Sequence, residues 1–302
     1  MTLDPNLLID RRVLKRRLRL WQALSVLAVI LLVFFYLDAT NDIFTKDKVA
    51  RLQINGMIVE DPKRDVILAD IKKDNSVRAL IVTINSPGGT VVGGEDLYRS
   101  LTSVGEKKPV VSIMGTVATS AAYMAAIAGD KLFARESTIT GSIGVVYQTI
   151  DLTGMLKKIG VVPESLKSGP LKAVPSPLEP LTDTGREATQ ILVKDLFRYF
   201  VDLISKRRPI DRAKILELAD GRVFTGRQAL ENGLIDSIGN ISAARDWLHE
   251  EKGIPKSLPT IDIGTESKGW NLSKLIFGLN KKSLFPNSIA LDGLLSVWQP
   301  DK

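Results

Sequence analysis

Residues Ser112–Asp130 read SIMGTVATSAAYMAAIAGD, the pattern of a strand that turns sharply into a helix. The buried apolar run Val110, Val111, Ile113 and Met114 is expected to stop at Gly115, and an Ala-rich segment with helical spacing follows from Ala121 to Ala128. Ser120 lies between the two, among residues too small to hide it. Its hydroxyl is then expected at a helix N-terminus, where free N–H groups and the positive end of the dipole favour a developing oxyanion. Serine is also a preferred N-cap. This stretch alone leaves nucleophile and cap both open.

Working outward, Asn85-Ser86-Pro87-Gly88-Gly89 ends the apolar strand expected over Val77–Ile84. Two glycines let a backbone approach a ligand closely and present bare N–H groups, although such a loop can also be a plain turn. Two such turns, each closing a buried strand, are what adjacent parallel strands bring to one rim of a sheet, and ligands bind at that rim.

The motifs together resemble a known family. Asn85–Gly89 is followed in order by ATSAAYMAA around Ser120, then by Thr140-Gly141-Ser142-Ile143-Gly144 and Lys167-Ser168-Gly169-Pro170-Leu171-Lys172. The segments Asp220–Ala229 (DGRVFTGRQA) and Asn232–Asp236 (NGLID) complete the series. In order and spacing these are similar to the signal peptide peptidase A (protease IV) family, over roughly residues 48–255. Single pieces are shared with Clp proteases and crotonases. The resemblance implies that the α/β parallel sheet core flanked by helices, read below from the strand and helix pattern, has the crotonase-like (Clp-type) fold, and the N-terminal transmembrane helix expected before it is read from residues 20–37 below. One departure stands out: many members have two glycines directly after the nucleophile, where this chain has Ala121 and Ala122. The backbone N–H is kept, and a narrower floor of the site is expected.

Composition removes several chemistries. The chain of 302 residues, 44% of them hydrophobic, can bury a sizeable core. It has no cysteine, which removes thiol catalysis, Cys-ligated metals and disulfides. The single histidine, His249, lies in a segment that reads as an exposed late helix, a poor place for a triad base. Zinc hydrolysis has almost no ligands, and no metal or organic cofactor is expected. The remaining candidates for a base are lysine and carboxylate. The net charge of +7 is concentrated in residues 1–20, where six Lys/Arg against two acids give 6−2=+4. That leaves 35 basic against 32 acidic residues elsewhere, so no nucleic-acid partner is expected.

Behind that basic segment (1–19), Leu20–Leu37 is an 18-residue apolar run, about 27 Å as a helix and long enough to span a bilayer core. Bulky Phe34-Phe35-Tyr36-Leu37 stands where a cleavage site would need small residues, so an uncleaved anchor is expected. The arginines place the N-terminus in the cytoplasm and everything after Asp38 on the non-cytoplasmic side. A linker (38–48), a peptidase domain (49–255) and a tail (256–302) follow.

Within the domain, strands are expected over Leu52–Val59, Val77–Ile84, Lys131–Ala134 and Ile143–Gln148. Helices are expected over Lys63–Lys73, Gly94–Val104, Leu152–Ile159, Arg212–Ala219, Gly226–Asn232 and Ile241–Glu251, which alternate with the strands as in a parallel sheet covered on both faces. Thr184-Gly-Arg-Glu187 resembles a capping box opening a long amphipathic helix to about Lys206, its apolar face suited to core or subunit contact. In the tail, Trp270, Leu272, Leu275, Ile276 and Leu279 have the spacing of a further amphipathic helix, suited to docking on a partner subunit.

A serine attacking a peptide carbonyl needs a base, and lysine serves only when its amine is neutral, which takes desolvation or nearby positive charge. Lys172 follows Ser168-Gly169-Pro170 and is flanked by Leu171, Ala173, Val174 and Pro175. Composition alone would read it as a solvated surface charge. The resemblance places the general base at Lys172, a base-orienting hydroxyl at Ser142, and the oxyanion hole at the backbone N–H of Gly88 or Gly89 together with that of Ala121. It further implies peptide substrates near the membrane, and a homo-oligomer in which Ser120 and Lys172 come from different subunits. Two alternatives stand beside this reading: a protease cleaving the apolar C-terminal segment of a stomatin-like partner, and a silent scaffold whose site Ala121-Ala122 has closed.

Overall fold

The computed structural model describes residues 5–41, 47–264 and 294–297, with side chains described for 15–33 and 47–264. The chain divides into two units, Met1–Lys46 and Asp47–Lys302. The first is helix α1 (Pro5–Asn41). Its described apolar side chains, from Leu18 to Val33, are exposed. Among the described residues no helix is long and apolar enough to cross a membrane. The side chains of Phe34–Leu37, the end of the expected span, lie outside the described residues, as does the expected tail helix Trp270–Leu279.

The second unit runs β1 (Lys48–Asn55), α2 (Pro62–Lys73), β2 (Val77–Ser86), β3 (Gly88–Thr90), α3 (Val91–Gly105), β4 (Val110–Thr119), α4 (Ala121–Ala126) and β5 (Lys131–Ala134). It continues with β6 (Ile139–Gly141), β7 (Val146–Tyr147), α5 (Thr153–Lys158), α6 (Asp183–Arg207), α7 (Arg212–Leu218), β8 (Val223–Thr225) and α8 (Gly226–Glu231). Last come β9 (Ser237–Ile238), α9 (Ile241–Lys252), β10 (Thr260–Ile263) and β11 (Leu294–Val297).

A mixed α/β architecture with a parallel-rich sheet is the result. The main sheet follows the path β10-β1-β2-β4-β5-β9, with β6 added to β4 and β8 to β6. Every pairing in it is parallel except β6 with β8. Alternation along the strands supplies two apolar faces. Leu80, Val82 and Ile84 join Leu97, Leu101 and Met124 on one face, while Ala79, Ile81, Val111 and Ile113 join Ala244 and Leu248 of α9 on the other. Strand β10 lies beyond residue 255 and closes the edge of the sheet against β1, tied by the ion pair of Arg51 with Asp262.

Several boundaries differ from those expected, each for a local reason. Strand β1 ends at Asn55 because Gly56 turns with φ +74°, and beyond it Ile58 makes an isolated bridge to Gly89 of β3, outside the main sheet. Strand β4 does not stop at Gly115 but runs on to Thr119 through an irregularity opposite Ile84 and Ser86. A Cβ on Gly115 would come within 3.1 Å of the Asn85 side chain, so glycine permits this approach. Of the expected strand Ile143–Gln148 only the two-residue β7 forms, and a short strand that was not expected, β6, ends just before Ser142 at φ +49°. Helix α6 is capped by Thr182, which accepts from the Gly185 N–H at 3.1 Å, and not by Thr184. The capping box belongs to α8, where Thr225 and Gln228 exchange side-chain and backbone bonds.

Candidate active site

Ser120 occupies the corner between β4 and α4 with φ 58° and ψ −121°, backbone space that a non-glycine residue rarely adopts. Such strain persists only where the surroundings enforce it, and it concentrates at functional sites. Here the surroundings are specific. The Ser120 N–H is held by the Gly141 carbonyl at 2.8 Å, and Thr140 Oγ1 donates to the Ala118 carbonyl at 2.7 Å, so β6 clamps the end of β4. Behind the serine, all six residues of α4 are buried. The Tyr123 hydroxyl donates to the Leu234 carbonyl at 2.9 Å, and burial pushes its pKa far above the ordinary tyrosine value. From α6, the Arg207 guanidinium bonds the Ile127 carbonyl (2.8 Å), the Ala128 carbonyl and the Gly129 carbonyl (3.1 Å) where α4 ends. A cation on those carbonyls satisfies groups that the helix leaves unpaired.

Ser142 is the second strained serine, its N–H fixed by the Arg222 carbonyl at 2.8 Å. The late segment Asp220–Ala229 therefore acts as scaffold: β8 pairs with β6, and Arg222 just before β8 presents the carbonyl that shapes the Ser142 turn. Ser120 and Ser142 line one cavity of about 400 Å³, with Ile143–Val146, Gln190, Val193, Lys194 and Phe197 of α6, and Ala219–Gly221. A neighbouring cavity of about 720 Å³ shares Val145, Val146, Gln190 and Val193 and extends the space toward Pro175 and Leu181. A further cavity, about 540 Å³, lies between β1 and α2 and contains neither serine, so its size carries no weight for the chemistry.

The remaining expected residues are distributed as follows. Gly88 and Gly89 form β3 beside this rim, and the Thr119 hydroxyl donates to the Pro87 carbonyl at 3.0 Å, tying the glycine loop to the residue before Ser120. The Gly88 N–H is bonded to Ser86 Oγ at 3.1 Å, a partner it would have to exchange for an oxyanion. Ala121 opens α4, where the first N–H groups have no intrahelical partner. Its methyl packs toward α3, for a Cβ on Gly94 would meet it at 2.9 Å, and neither Ala121 nor Ala122 lines the cavity. The expected narrowing of the floor is therefore not found. Lys172 is exposed and does not line the Ser120 cavity; the lysine that does is Lys194 on α6, which sequence reading did not single out. Ser120, Ser142 and Ala173, the neighbour of Lys172, are the non-glycine residues with positive φ among those described. His249 lies on α9, against the opposite face of the sheet, with Nδ1 3.3 Å from the Ile254 carbonyl.

The description "Peptidase family S49" matches residues 103–255 of this chain. The chain belongs to that family. S49 peptidases are the signal peptide peptidase A group that the motifs resemble, and they are serine-type peptidases. A Synechocystis sp. protein with a provisional protease name is 35% identical over 225 residues, which cover 74% of this chain and 81% of that relative. An Enterococcus faecium protein provisionally named signal peptide peptidase SppA is 32% identical over 219 residues, 68% of this chain and 64% of the relative. The chloroplastic serine protease SPPA of Arabidopsis thaliana is 31% identical over 232 residues, 76% of this chain but 34% of that longer protein.

Proposed function

We propose that this S49 member is a membrane-anchored endopeptidase of crotonase-like (Clp-type) fold that cuts signal peptide remnants or other short apolar peptides with a Ser120/Lys172 dyad. The observation that carries it is the strained, clamped Ser120 opening into a cavity with Ser142 at the sheet rim. In this reading Ser120 attacks the carbonyl, and the N–H groups of Ala121 and of Gly88 or Gly89 receive the oxyanion. Lys172 takes the serine proton and returns it to the leaving amine, with Ser142 orienting the amine. The helix α1 run from Leu20 would anchor the enzyme with its basic flank in the cytoplasm and its catalytic unit on the other side.

Because Lys172 does not line the Ser120 cavity, the base is assigned to a neighbouring protomer in a ring-like homo-oligomer. Apolar exposure supports that assignment. Leu166 is 96% and Val162 85% exposed, and Met155, Ile159, Leu171 and Ile191 are exposed with them. The exposed large apolar side chains within residues 155–171 are what a covering surface would bury. A second reading, with Lys194 as a base in the same chain, is favoured only by its place in the cavity lining. Fluorophosphonate labelling followed by peptide mapping tests the proposal: stoichiometric modification of Ser120 is expected, and an inert Ser120 would leave a silent scaffold. A substrate profile against signal peptides and against the C-terminal segment of a stomatin-like protein separates the two protease readings.

A further inference from the structure

Arg64, in the first turn of α2, lines the cavity of about 540 Å³ beside β1. The residue is only 9% exposed, yet among the described residues its guanidinium makes a single hydrogen bond, from Nη2 to the Val59 carbonyl at 3.2 Å. Nε is buried without a partner, and among the described residues no carboxylate forms an ion pair with the charge. The acids nearest in sequence are engaged elsewhere. Glu60 accepts from the Thr90 hydroxyl at 3.2 Å, Asp61 from the Lys63 and Arg64 N–H groups as the cap of α2, and Asp65 from the Ser100 hydroxyl at 3.0 Å. A buried cation with unmade bonds is costly, so its retention calls for a partner.

The walls of the cavity define the chemistry of that partner. Leu52, Ile54, Ile58 and Ile67 are apolar, and Met57 and Val59 in the same lining are exposed. Lys63 joins Arg64 there, so two cations face the one carboxylate of Asp61, which is committed to the helix cap. An anion with an apolar body fits these walls. The backbone adds a further element. Strand β10 pairs with β1 only as far as Ile263 opposite Leu52, so the outer edge of Gln53, Ile54 and Asn55 has no strand partner among the described residues, and all three line the cavity. Such an edge takes an extended peptide by strand addition. A peptide added in the direction of β10 runs its carboxyl end toward the end of β1, from which the chain leads into α2 and Arg64.

We propose that this cavity binds the free C-terminal carboxylate of a short apolar peptide, with the last residues of the peptide along Gln53–Asn55 and the carboxylate on Arg64, and that occupancy steadies the glycine loop beside Ser120. The connection is short. Arg64 holds the Val59 carbonyl, and the preceding residue, Ile58, donates to the Gly88 carbonyl at 2.8 Å and accepts from the Thr90 N–H at 2.9 Å. Gly93 in α3 is pressed against the same segment, since a Cβ there would stand 2.7 Å from Val59 Cα. A ligand that fixes Arg64 therefore fixes the segment that holds Gly88, and oxyanion donors act best when their position is set in advance. Peptides with a new carboxyl end are what an endopeptidase releases, so the cavity would sense product. That consequence rests on the peptidase reading, whereas the binding itself does not.

The test uses the full-length protein and a fluorescein-labelled apolar hexapeptide with a free carboxylate, read by fluorescence polarisation. Its C-terminal amide, a form N-methylated at alternate amides, and decanoate serve as comparisons. The amide and Arg64→Met are each expected to weaken binding by at least about tenfold, through loss of charge-assisted hydrogen bonds. N-methylation should weaken it by at least about threefold, because the bonds to the β1 edge are lost. Hydrogen exchange at the Ile58 and Thr90 amides should slow at least about threefold on saturation with the free-carboxylate peptide and stay unchanged with the amide. The comparison of acid with amide is made on the native chain, so it decides the matter without any variant. Equal affinity for acid and amide, full binding in folded Arg64→Met, or unchanged exchange at both amides overturns the proposal. Displacement by decanoate with no penalty for N-methylation overturns the peptide as the ligand. Binding with the expected acid preference in a chain that cleaves no peptide would support the site and overturn only the peptidase reading.

Discussion

Ser120 stands at the head of a helix whose residues are all buried, whereas Lys172 stands in a stretch, residues 144–184, that contains no buried residue at all. The half of the site that carries Ser120 is finished by intramolecular packing: α4 is pinned by Tyr123 to the Leu234 loop and by Arg207 to α6. The half that carries Lys172 is held by its own short-range bonds, such as the Lys172 N–H to the Gly169 carbonyl at 3.1 Å and the ion pair of Lys167 with Glu179. A stretch this long without a buried side chain cannot repay its conformational entropy alone. On the proposed reading, this is the part that a neighbouring protomer would cover.

The sharpest way to break this comparison is to remove each half chemically. Ser120→Ala and Lys172→Ala are each expected to lower kcat by about 10⁴-fold or more with unchanged circular dichroism, while His249→Ala stays near the native rate and Lys194→Ala changes KM more than kcat. Full activity in Lys172→Ala, or loss of all activity in Lys194→Ala, would transfer the base to the same chain. Mixing the two dead variants sharpens the test. If the halves come from different protomers, co-assembled Ser120→Ala and Lys172→Ala chains should regain a measurable fraction of native activity, and no recovery at any mixing ratio would make each protomer self-contained.

Stability should divide the same way. Tyr123→Phe leaves the Leu234 carbonyl without its buried donor and is expected to cost about 1–3 kcal/mol, read as a lower melting temperature. Val162→Ser removes an exposed methyl-bearing side chain and should change unfolding of the isolated chain by less than about 0.5 kcal/mol while weakening self-association. Equal effects from the two would remove the contrast.

The sequence was most informative where packing is local. Short apolar runs located β2 and β5, and small residues around Ser120 marked a corner that the structure strains. It was least informative where a strand's partner is remote. β8 and β10 are short, and only their pairing with β6 and β1 makes them strands. Gly115 reads as a terminator but acts as a point of close approach to Asn85, a distinction set by a neighbouring strand and invisible in one dimension. For the site, Ser142 was found through motif order, while Lys194 went unnoticed because a helix lysine looks like any solvated one until α6 is laid beside the rim. The Arg207 contacts were likewise unreadable, since they span from α6 to the end of α4.

The smallest expected effect lies inside the exposed half and asks how much order that half has alone. Hydrogen bonds from Lys167 and from Ser165 hold the Glu179 carboxyl below its ordinary pKa. A depressed folded-state pKa means that the pair's contribution is fully present above the unfolded glutamate value, near 4.3, and is lost as pH falls through the lower folded value. Between pH 5 and 8 the pair should therefore be constant. Because both partners reach solvent, salt should weaken it. Glu179→Gln is expected to speed proteolytic nicking within residues 168–180 by no more than about fivefold at pH 7 and low salt, with the difference from the native chain shrinking at high salt and below pH 4. A larger effect, or one that persists in high salt, would mean that Lys167 and Glu179 fix the segment that carries Lys172 in the isolated chain, and the exposed half would then be ordered before any neighbour arrives.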